Sequence, residues 1–312
     1  MGLSRCPCFS KTKTDSTNKK EHSLTLKDPS TRYLVFGDLH GRVLPAFALA
    51  RRYQDDFKAP LDGLLQVGDL GYFPDTSRLD AASRRHAAQD PLELGISEFN
   101  TANPVASRFF QYFDPLVRMY FIAGNHEDYE SLERRRRSRD PAWPVDDFHR
   151  LWCLDDGRVT ELSSGLKVGS LWGIDGDAPK ARRIRLPRTR INPDAAEQLR
   201  SKTFDVLLTH ESPRDAIWIG SGSELISTVI ESAAPQIAFF GHYHTAGRLA
   251  DCDFGRTRVY WMNGLELQVR GTRAESCCAG LLTRTEANWD FHYLDDDWIA
   301  GFTRNNWDRW LE

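Results

Sequence analysis

The feature that most constrains this chain is an apolar segment, residues 34–36, that runs directly into Gly37-Asp38-Leu39-His40-Gly41. A continuous apolar run is typical of a buried strand in a parallel sheet, and ligands in open α/β sheets lie at the carboxyl ends of such strands. Side chains two residues apart lie on the same side of an extended backbone, so Asp38 and His40 can reach one point. This pair alone is weak evidence for a metal site, because Gly-Asp turns after strands are common.

The same pattern occurs five times along the chain. Apolar segments run into GDLHG at 37–41, GDLG at 68–71, GNHE at 124–127, THESP at 209–213 and GHYH at 241–244. If these segments are strands of parallel sheets, their ends converge on one rim. The metal-competent residues that would meet there are Asp38, His40, Asp69, Asn125, His210, His242 and His244.

Apolar and amphipathic segments alternate from residue 32 onward, which predicts an α/β fold. The predicted main strands are 32–37, 62–68, 117–123, 205–209 and 237–241, and shorter strands are predicted at 158–162, 166–174, 257–263 and 279–293. The predicted helices lie near 43–57, 102–113, 193–201 and 223–233. Three long connections remain, at 73–101, 128–157 and 175–192, and long loops at a ligand-binding edge are often functional.

Composition limits the class of protein. The chain has 312 residues, of which 40% are hydrophobic and 27% charged, and it contains no run of eighteen apolar residues and no secretory signal. We therefore expect a cytoplasmic protein, and we interpret its six cysteines as free thiols. Beyond residue 23 the chain has 36 Lys and Arg against 42 Asp and Glu. This acidic balance disfavours broad nucleic-acid binding, although it allows a local basic groove.

The two ends of the chain differ from its body. Residues 1–23 are predicted to be a disordered basic tail, and Gly2, Cys6 and Cys8 followed by lysines resemble a dual-lipidation signal for a membrane surface. An untethered tail is the alternative. Residues 24–285 are predicted to form the main domain. Residues 286–312, with four tryptophans, are predicted to be an extension that packs on it.

Taken as a set, the five motifs resemble the calcineurin-like metallophosphoesterase superfamily over residues 32–265. The resemblance implies a two-sheet α/β/β/α sandwich with two metal ions held by loops at one end. The segments around 120–129 and 166–174 are similar to the branch that contains the lariat-debranching enzymes. Those enzymes have Cys where Asp38 stands here, so the resemblance concerns ancestry and does not assign a substrate.

The resemblance also implies a set of metal ligands. Asp38, His40 and His244 would bind the first ion, Asn125, His210 and His242 the second, and Asp69 would bridge both. Two divalent cations can activate a water and neutralise phosphoryl oxygens. The bridging group must be a carboxylate, because only a carboxylate can bind two cations through separate oxygens while its charge lowers their mutual repulsion. Mixed nitrogen and oxygen ligands without thiolate favour Mn, Fe or Zn over Mg.

Two further residues have implied catalytic roles. His126 matches the family histidine that protonates the departing alcohol oxygen, and a water activated by the metal ions would attack phosphorus. In calcineurin-type phosphatases an acidic residue orients this histidine, but Tyr72 stands at its position here. We predict that Asp75 takes this role, with Glu127 and Asp128 as competitors. Arg42 is predicted either to contact a substrate oxygen or to lie on the surface.

The substrate is left open by the motifs. The GHYH ending disfavours hydrolysis of phosphoproteins, so the leading hypothesis is a phosphodiesterase or phosphatase for a small phosphoester or nucleotide. The alternatives are an RNA or DNA nuclease that uses the arginines within 180–190, and a lipid-anchored scaffold without catalysis. The arginines at 134–137 and 139 are predicted to form a solvated helix face rather than to contact substrate. A protein partner is not indicated.

Overall fold

The structure is a computed structural model that describes residues 31–99, 103–175, 188–244, 251–267, 273–286 and 288–312. Two mixed sheets lie against each other, and helices pack on both of them. This is the α/β/β/α sandwich that the sequence predicts, and the prediction of fold class is confirmed. The predicted tail and the residues Lys180, Arg182, Arg183 and Arg185 lie outside the described residues.

The first sheet has seven strands in the order β13-β12-β1-β2-β3-β5-β4. Strands β1, β2, β3 and β5 are parallel, and a β12–β13 hairpin joins antiparallel to β1. The strands are β1 (Thr31–Phe36), β2 (Gly63–Gln66), β3 (Met119–Phe121), β4 (Ala142–Pro144), β5 (Leu151–Leu154), β12 (Ala279–Thr285) and β13 (Asn288–Tyr293).

The second sheet has six strands in the order β10-β11-β9-β8-β7-β6. Strands β7, β8, β9 and β11 are parallel, and the two edge strands are antiparallel to their neighbours. The strands are β6 (Arg158–Glu161), β7 (Lys167–Leu171), β8 (Val206–Thr209), β9 (Ile237–Phe240), β10 (Cys252–Phe254) and β11 (Thr257–Trp261).

The α-helices of the described residues connect these strands. They are α1 (Val43–Phe57), α2 (Ala81–Ala87), α3 (Gly95–Phe99), α4 (Pro104–Tyr112), α5 (Tyr129–Arg135), α6 (Pro193–Arg200), α7 (Glu224–Ala233) and α8 (Asp296–Ala300). Short 3-10 helices occur at Thr76–Arg78, Pro91–Leu94 and Trp307–Leu311. None of the helices in the described ranges is both long and apolar enough to span a membrane.

Two apolar cores follow from the alternation of side chains along the strands. On β8, Val206 and Leu208 pack in a core shared with the first sheet, whereas Leu207 packs in a second core with Leu199 of α6 and Ile230 of α7. Successive side chains of a strand point to opposite faces, so a strand buried on both faces reads as a continuous apolar run. Because the strands are packed on both faces by these two cores, the positions of the strand ends that carry the motifs are fixed.

The structure differs from the sequence prediction in two places. The predicted strand 279–293 is a hairpin of β12 and β13, so the predicted domain boundary at residue 286 falls inside a sheet. The long connections 73–101 and 128–157 contain short helices, and the second also contains β4 and β5. Helix α2, with the sequence AASRRHA, has no apolar stripe, and it starts where Asp80 accepts a hydrogen bond from the Ser83 backbone N–H.

Candidate metal centre

Carboxyl ends of five strands place the predicted ligands at one rim of the sandwich. The strands β1, β2 and β3 of the first sheet and β8 and β9 of the second lead into the five motifs. Two groups form there: the first group is Asp38, His40 and His244, and the second group is Asp69, His210 and His242. Within each group the potential ligand atoms all lie within 4.8 Å of one another.

Unusual backbone conformations turn these side chains inward. His40, Asp69 and His242 have φ angles of 42°, 53° and 68°, in the left-handed region that residues other than glycine rarely adopt. Such conformations cost about 1–3 kcal/mol each and persist where the surrounding structure holds them. Leu39 and His40 both donate backbone hydrogen bonds to the Asp69 carbonyl, so the first and second motifs hold each other.

Glycines precede two of the motifs' ligands because the two buried carboxylates come very close to the backbone. A Cβ atom on Gly124 would lie 2.2 Å from Asp69 Oδ1, and one on Gly241 would lie 2.2 Å from Asp38 Oδ1. No side chain fits at either distance. The glycines of GNHE and GHYH are therefore required by the placement of the carboxylates.

The first group is partly open to solvent. His244 Nε2 lies 3.2 Å from Asp38 Oδ2 and 3.5 Å from His40 Nε2. On its other side, His244 Nδ1 lies 3.2 Å from Glu266 Oε1. The contacts with Asp38 and Glu266 raise the pKa of His244 to about 10. A cation that binds here must therefore displace a proton.

In the second group Asp69 and His210 are buried and His242 is half-buried. His210 Nε2 lies 3.1 Å from Asp69 Oδ2 and 3.2 Å from Asn125 Oδ1, and His210 Nδ1 lies 3.0 Å from the Val67 carbonyl. A proton on Nδ1 that is donated to this carbonyl leaves Nε2 as the ligand atom. Burial favours the neutral ring, but Asp69 and Asp38 outweigh it and raise the pKa of His210 to about 9.

The donor set fits two divalent cations. Asp38 Oδ2 is buried, with His244 Nε2 at 3.2 Å and His40 Nε2 at 3.9 Å, so three potential ligand atoms converge on a point that a cation could occupy. Imidazole nitrogens, carboxylate oxygens and one amide oxygen face common points, and they match the preferences of Zn, Mn and Fe. The residues Asp38, His40 and His244 could hold one ion, and Asn125, His210 and His242 a second, with Asp69 next to His210.

His126 lies beside the first group, and the carboxylate in contact with its ring is that of Asp80. The rings of His126 and His40 are 5.7 Å apart, and His126 Nδ1 lies 2.7 Å from Asp80 Oδ2. Burial would lower the pKa of His126, but Asp80 and Asp69 outweigh it and raise this pKa. The His126 backbone N–H also donates to Asp69 Oδ1 at 2.7 Å.

The prediction for Asp75 is corrected by these contacts. The Asp75 carboxylate accepts from the Ser77 backbone N–H at 2.9 Å and caps the 3-10 helix Thr76–Arg78, so it serves a local turn. Sequence reasoning missed Asp80 because spacing from Asp69 was its only guide. The available signal was the helix-capping pair Asp80 and Ser83, which marks the start of a helix in the connection that follows the second motif.

The competing acidic residues also have structural partners. Glu127 accepts from the backbone N–H groups of Leu70 and Tyr72, and burial raises the pKa of Glu127 to about 8. Asp128 is paired with Arg78 and accepts from the Ser131 hydroxyl. These carboxylates stabilise the turns around Asp69 and His126, and neither is described in contact with the His126 ring.

Arg42 takes neither of its predicted roles. It is buried, and its guanidinium pairs with Asp90 at 2.7 Å and with Glu93 at 3.0 Å. The same group donates to the His40 carbonyl at 3.3 Å, and Asp90 is also paired with Arg304 near the C-terminus. Through Arg42, this ion network thus stabilises the backbone of the first motif.

The arginine runs are partly described. Arg134, Arg135 and Arg136 pair with Glu130, Asp147 and Asp155, as expected of a helix face and its surroundings rather than a substrate site. From the second run, Arg188 and Arg190 line a cavity of about 690 Å³.

Comparison with known proteins gives a family match. The family model for calcineurin-like phosphoesterases matches residues 31–246, and none of the curated proteins matches the chain. Among solved structures, a protein of Thermus thermophilus is 14% identical, with a TM-score of 0.47 over 85% of this chain and 99% of that chain.

Two other solved structures resemble the chain at similar distance. A predicted phosphoesterase of Streptococcus pneumoniae is 13% identical, with a TM-score of 0.35 over 86% of this chain and 90% of that one. A 5′-nucleotidase of Candida albicans is 14% identical, with a TM-score of 0.40 over 91% of this chain and 54% of that one. At TM-scores below 0.5, these structural likenesses carry no argument about activity. The family match covers more than half of the chain and confirms the resemblance seen in the motifs: the chain belongs to the calcineurin-like phosphoesterase family and is a hydrolase of phosphoric esters.

Proposed function

We propose that this chain hydrolyses a small phosphoester or nucleotide, as a phosphodiesterase or phosphatase, with two divalent cations held at the rim. The single observation that carries the proposal is the convergence of two three-residue groups of ligand type at the ends of parallel strands. The proposed ligands are Asp38, His40 and His244 for one ion, Asn125, His210 and His242 for the other, and Asp69 for both.

The cations, when bound, would supply Lewis acidity that neutralises phosphoryl oxygens and lowers the pKa of water. The chain's own residues then have three tasks. Asp38 and Asp69 provide negative charge in a buried setting, and the left-handed turns at His40 and His242 fix the direction of the imidazoles. Val67 and Glu266 hold the outer nitrogens of His210 and His244, which orients the rings.

His126 is the proposed general acid. Asp80 contacts Nδ1, so Nε2 is left to hold the proton that the departing alcohol oxygen receives. The raised pKa of His126 keeps a larger share of the ring protonated near neutral pH, as an acid requires. Asp80 is therefore proposed as the positioning residue for His126.

The proposal is tested with two chromogenic substrates, bis-p-nitrophenyl phosphate and p-nitrophenyl phosphate. Metal-stripped protein is resupplied with Mn, Fe, Zn or Mg, and hydrolysis is measured beside the metal content. Cleavage of the diester that depends on metal supports a phosphodiesterase, and cleavage of the monoester alone supports a phosphatase.

A matched pair of histidine variants controls this test. His126→Gln removes the proposed acid, whereas His292→Gln changes a histidine of β13 that lies outside the rim. We expect the first to lower kcat with metal content unchanged and the second to have no effect. A folded protein that binds two ions but hydrolyses neither ester would contradict the proposal and favour a scaffold.

A further inference from the structure

A loop next to the GHYH motif presents two large apolar side chains to solvent. Trp218 is 54% exposed and Ile219 is 91% exposed, at the tip of residues 213–223. Single exposed apolar residues are normal on protein surfaces. Here the two are adjacent in sequence, and they belong to the loop that directly follows the ligand His210.

The loop is internally fixed. Its ends meet in a parallel bridge between Pro213 and Ser223, and the Asp215 backbone N–H donates to the Ser221 carbonyl at 2.9 Å. At the tip, the Trp218 backbone N–H donates to Ser221 Oγ at 3.2 Å, and Ser221 Oγ donates to the Trp218 carbonyl at 2.8 Å. The loop therefore holds the Trp218 backbone in one place, which lowers the entropy lost when a ligand binds.

The Trp218 ring packs against the ring of Tyr243, which in turn contacts the proposed metal ligand His242. The Trp218 ring lies 5.4 Å from that of Tyr243 at an interplanar angle of 90°, and the Tyr243 ring lies 5.0 Å from that of His242. Tyr243 is held in turn by a hydrogen bond from its hydroxyl to Glu211, the residue after His210. Two ring-to-ring steps thus separate an exposed indole from a proposed metal ligand, a span that a nucleoside can bridge.

We propose that Trp218 is a stacking platform for a planar aromatic group on the substrate, in the way that a nucleobase is bound. This inference rests on the proposed function and narrows it to phosphoesters that carry a base or a similar ring. Every base has a flat π-face, and stacking on an aromatic side chain does not require hydrogen bonds to the base edge. The platform favours nucleotide-type substrates without selecting one base.

The test compares two diesters with the same leaving group. Thymidine 5′-(4-nitrophenyl phosphate) carries a base, and methyl 4-nitrophenyl phosphate does not. The readout is the ratio of the two kcat/KM values for the metal-loaded full-length protein. Trp218→Ala should lower this preference for the thymidine ester by about tenfold, mainly through KM, as expected for the loss of one stacked base.

Three further variants separate stacking from other effects. Trp218→Phe keeps a flat ring and should retain most of the preference, whereas Trp218→Leu keeps an apolar side chain without a ring and should lose it. Leu116→Ala removes a side chain that is 74% exposed at the opposite end of β3 from the rim, and it should leave the preference unchanged. Circular dichroism and metal content identify any variant that is misfolded.

Several outcomes would overturn the inference. An unchanged preference in Trp218→Ala, or equal retention by the Phe and Leu variants, would exclude stacking. Binding of the wild type to vesicles of phosphatidylcholine and phosphatidylserine that is lost in Trp218→Ala, with the ester preference unchanged, would assign the tip to a lipid surface. Absence of metal-dependent hydrolysis of both diesters and of p-nitrophenyl phosphate by the wild type would instead contradict the proposed function.

Discussion

The two groups of predicted ligands are built from similar residues but are held in different ways. In the second group Asp69 and His210 are buried and His242 is half-buried, and the outer nitrogen of His210 lies against a backbone carbonyl. In the first group the His244 side chain is 43% exposed, and its outer nitrogen contacts the carboxylate of Glu266. His210 of the second group is thus held by the backbone at Val67, whereas His244 of the first group is held by the side chain of Glu266.

From this difference we expect the second group to be fixed and the first group to be adjustable. A buried ligand with a backbone partner has little freedom, so we expect the second group to hold its cation more tightly and to exchange it slowly. In the first group His244 is exposed and His126 lies beside His40, so we expect this group to be the more adjustable one. The asymmetry is tested first at Asp69, the residue of the second group that is proposed to bind both ions.

Asp69→Asn should have the largest effect. Asp69 contacts His210 and accepts from the His126 backbone, so the loss of its charge weakens both proposed ions. We expect a loss of activity of at least about 10³-fold, since each factor of ten corresponds to about 1.4 kcal/mol of barrier. Asparagine tolerates the left-handed backbone at this position, where φ is 53°, so the fold should survive.

The metal content of the Asp69→Asn variant distinguishes a bridging role for Asp69 from a role at one ion. If Asp69 bridges, elemental analysis of the Asn variant should show that both ions are weakened. Loss of one ion alone, with activity still present, would place Asp69 in a single group and contradict a bridging role.

Asp80→Asn should have the second largest effect. The amide can still approach His126 Nδ1, but it lacks the charge that favours the protonated ring, so kcat should fall by about tenfold with metal content unchanged. Asp75→Asn is the matched control, because among the described contacts the Asp75 carboxylate forms hydrogen bonds only with Ser77. Equal losses in the two variants would show that the effect comes from the loop and not from His126.

The contrast between Asp75 and Asp80 also shows what a sequence can predict here. The rim was predictable because each ligand directly follows an apolar strand, so strand order alone brings Asp38, Asp69 and Asn125 together. The orienting carboxylate lies in the connection 73–101, where short helices without an apolar stripe set its position. Capping geometry within such a connection is local, and spacing from a distant motif does not determine it.

Arg42 illustrates a second limit. Its place after GDLHG predicts either contact with a substrate oxygen or a surface position, yet Arg42 is buried and its guanidinium pairs with Asp90 and Glu93. These partners lie 48 and 51 residues away in sequence, and Arg304, which shares Asp90, lies 214 residues beyond that carboxylate. Pairings over such separations leave no periodic signal. Glu266, the partner of His244, was missed for the same reason.

Glu266→Gln tests the first group directly. The change removes the charge that raises the basicity of His244, and outer partners of this kind typically contribute 10- to 100-fold in metal affinity. We expect about a tenfold weaker affinity at one of two sites and an unchanged second site. Titration of the apoprotein with Zn or Mn, followed by calorimetry, would resolve the two events.

The control for Glu266 is Glu197→Gln on α6, where the carboxylate pairs with Arg200 at the surface. This change should leave both affinities unaltered. Equal weakening of both sites in Glu266→Gln would mean that the groups do not bind independently, and the asymmetry would not hold.

Arg304→Gln should have the smallest effect. Arg304 donates to Asp90, Asp90 pairs with Arg42, and Arg42 donates to the carbonyl of His40, whose φ of 42° is strained. Because Arg304 is partly exposed, its loss should cost only about 1 kcal/mol of stability, measured by urea unfolding. Since this network contacts the first group directly, at the His40 carbonyl, the metal affinity of that group should fall about two- to threefold and that of the second group should fall less. Arg309→Gln, on the same C-terminal segment, is the control. A larger change at the second group than at the first would show that the C-terminal segment supports the whole rim, and the division between a fixed and an adjustable group would then fail.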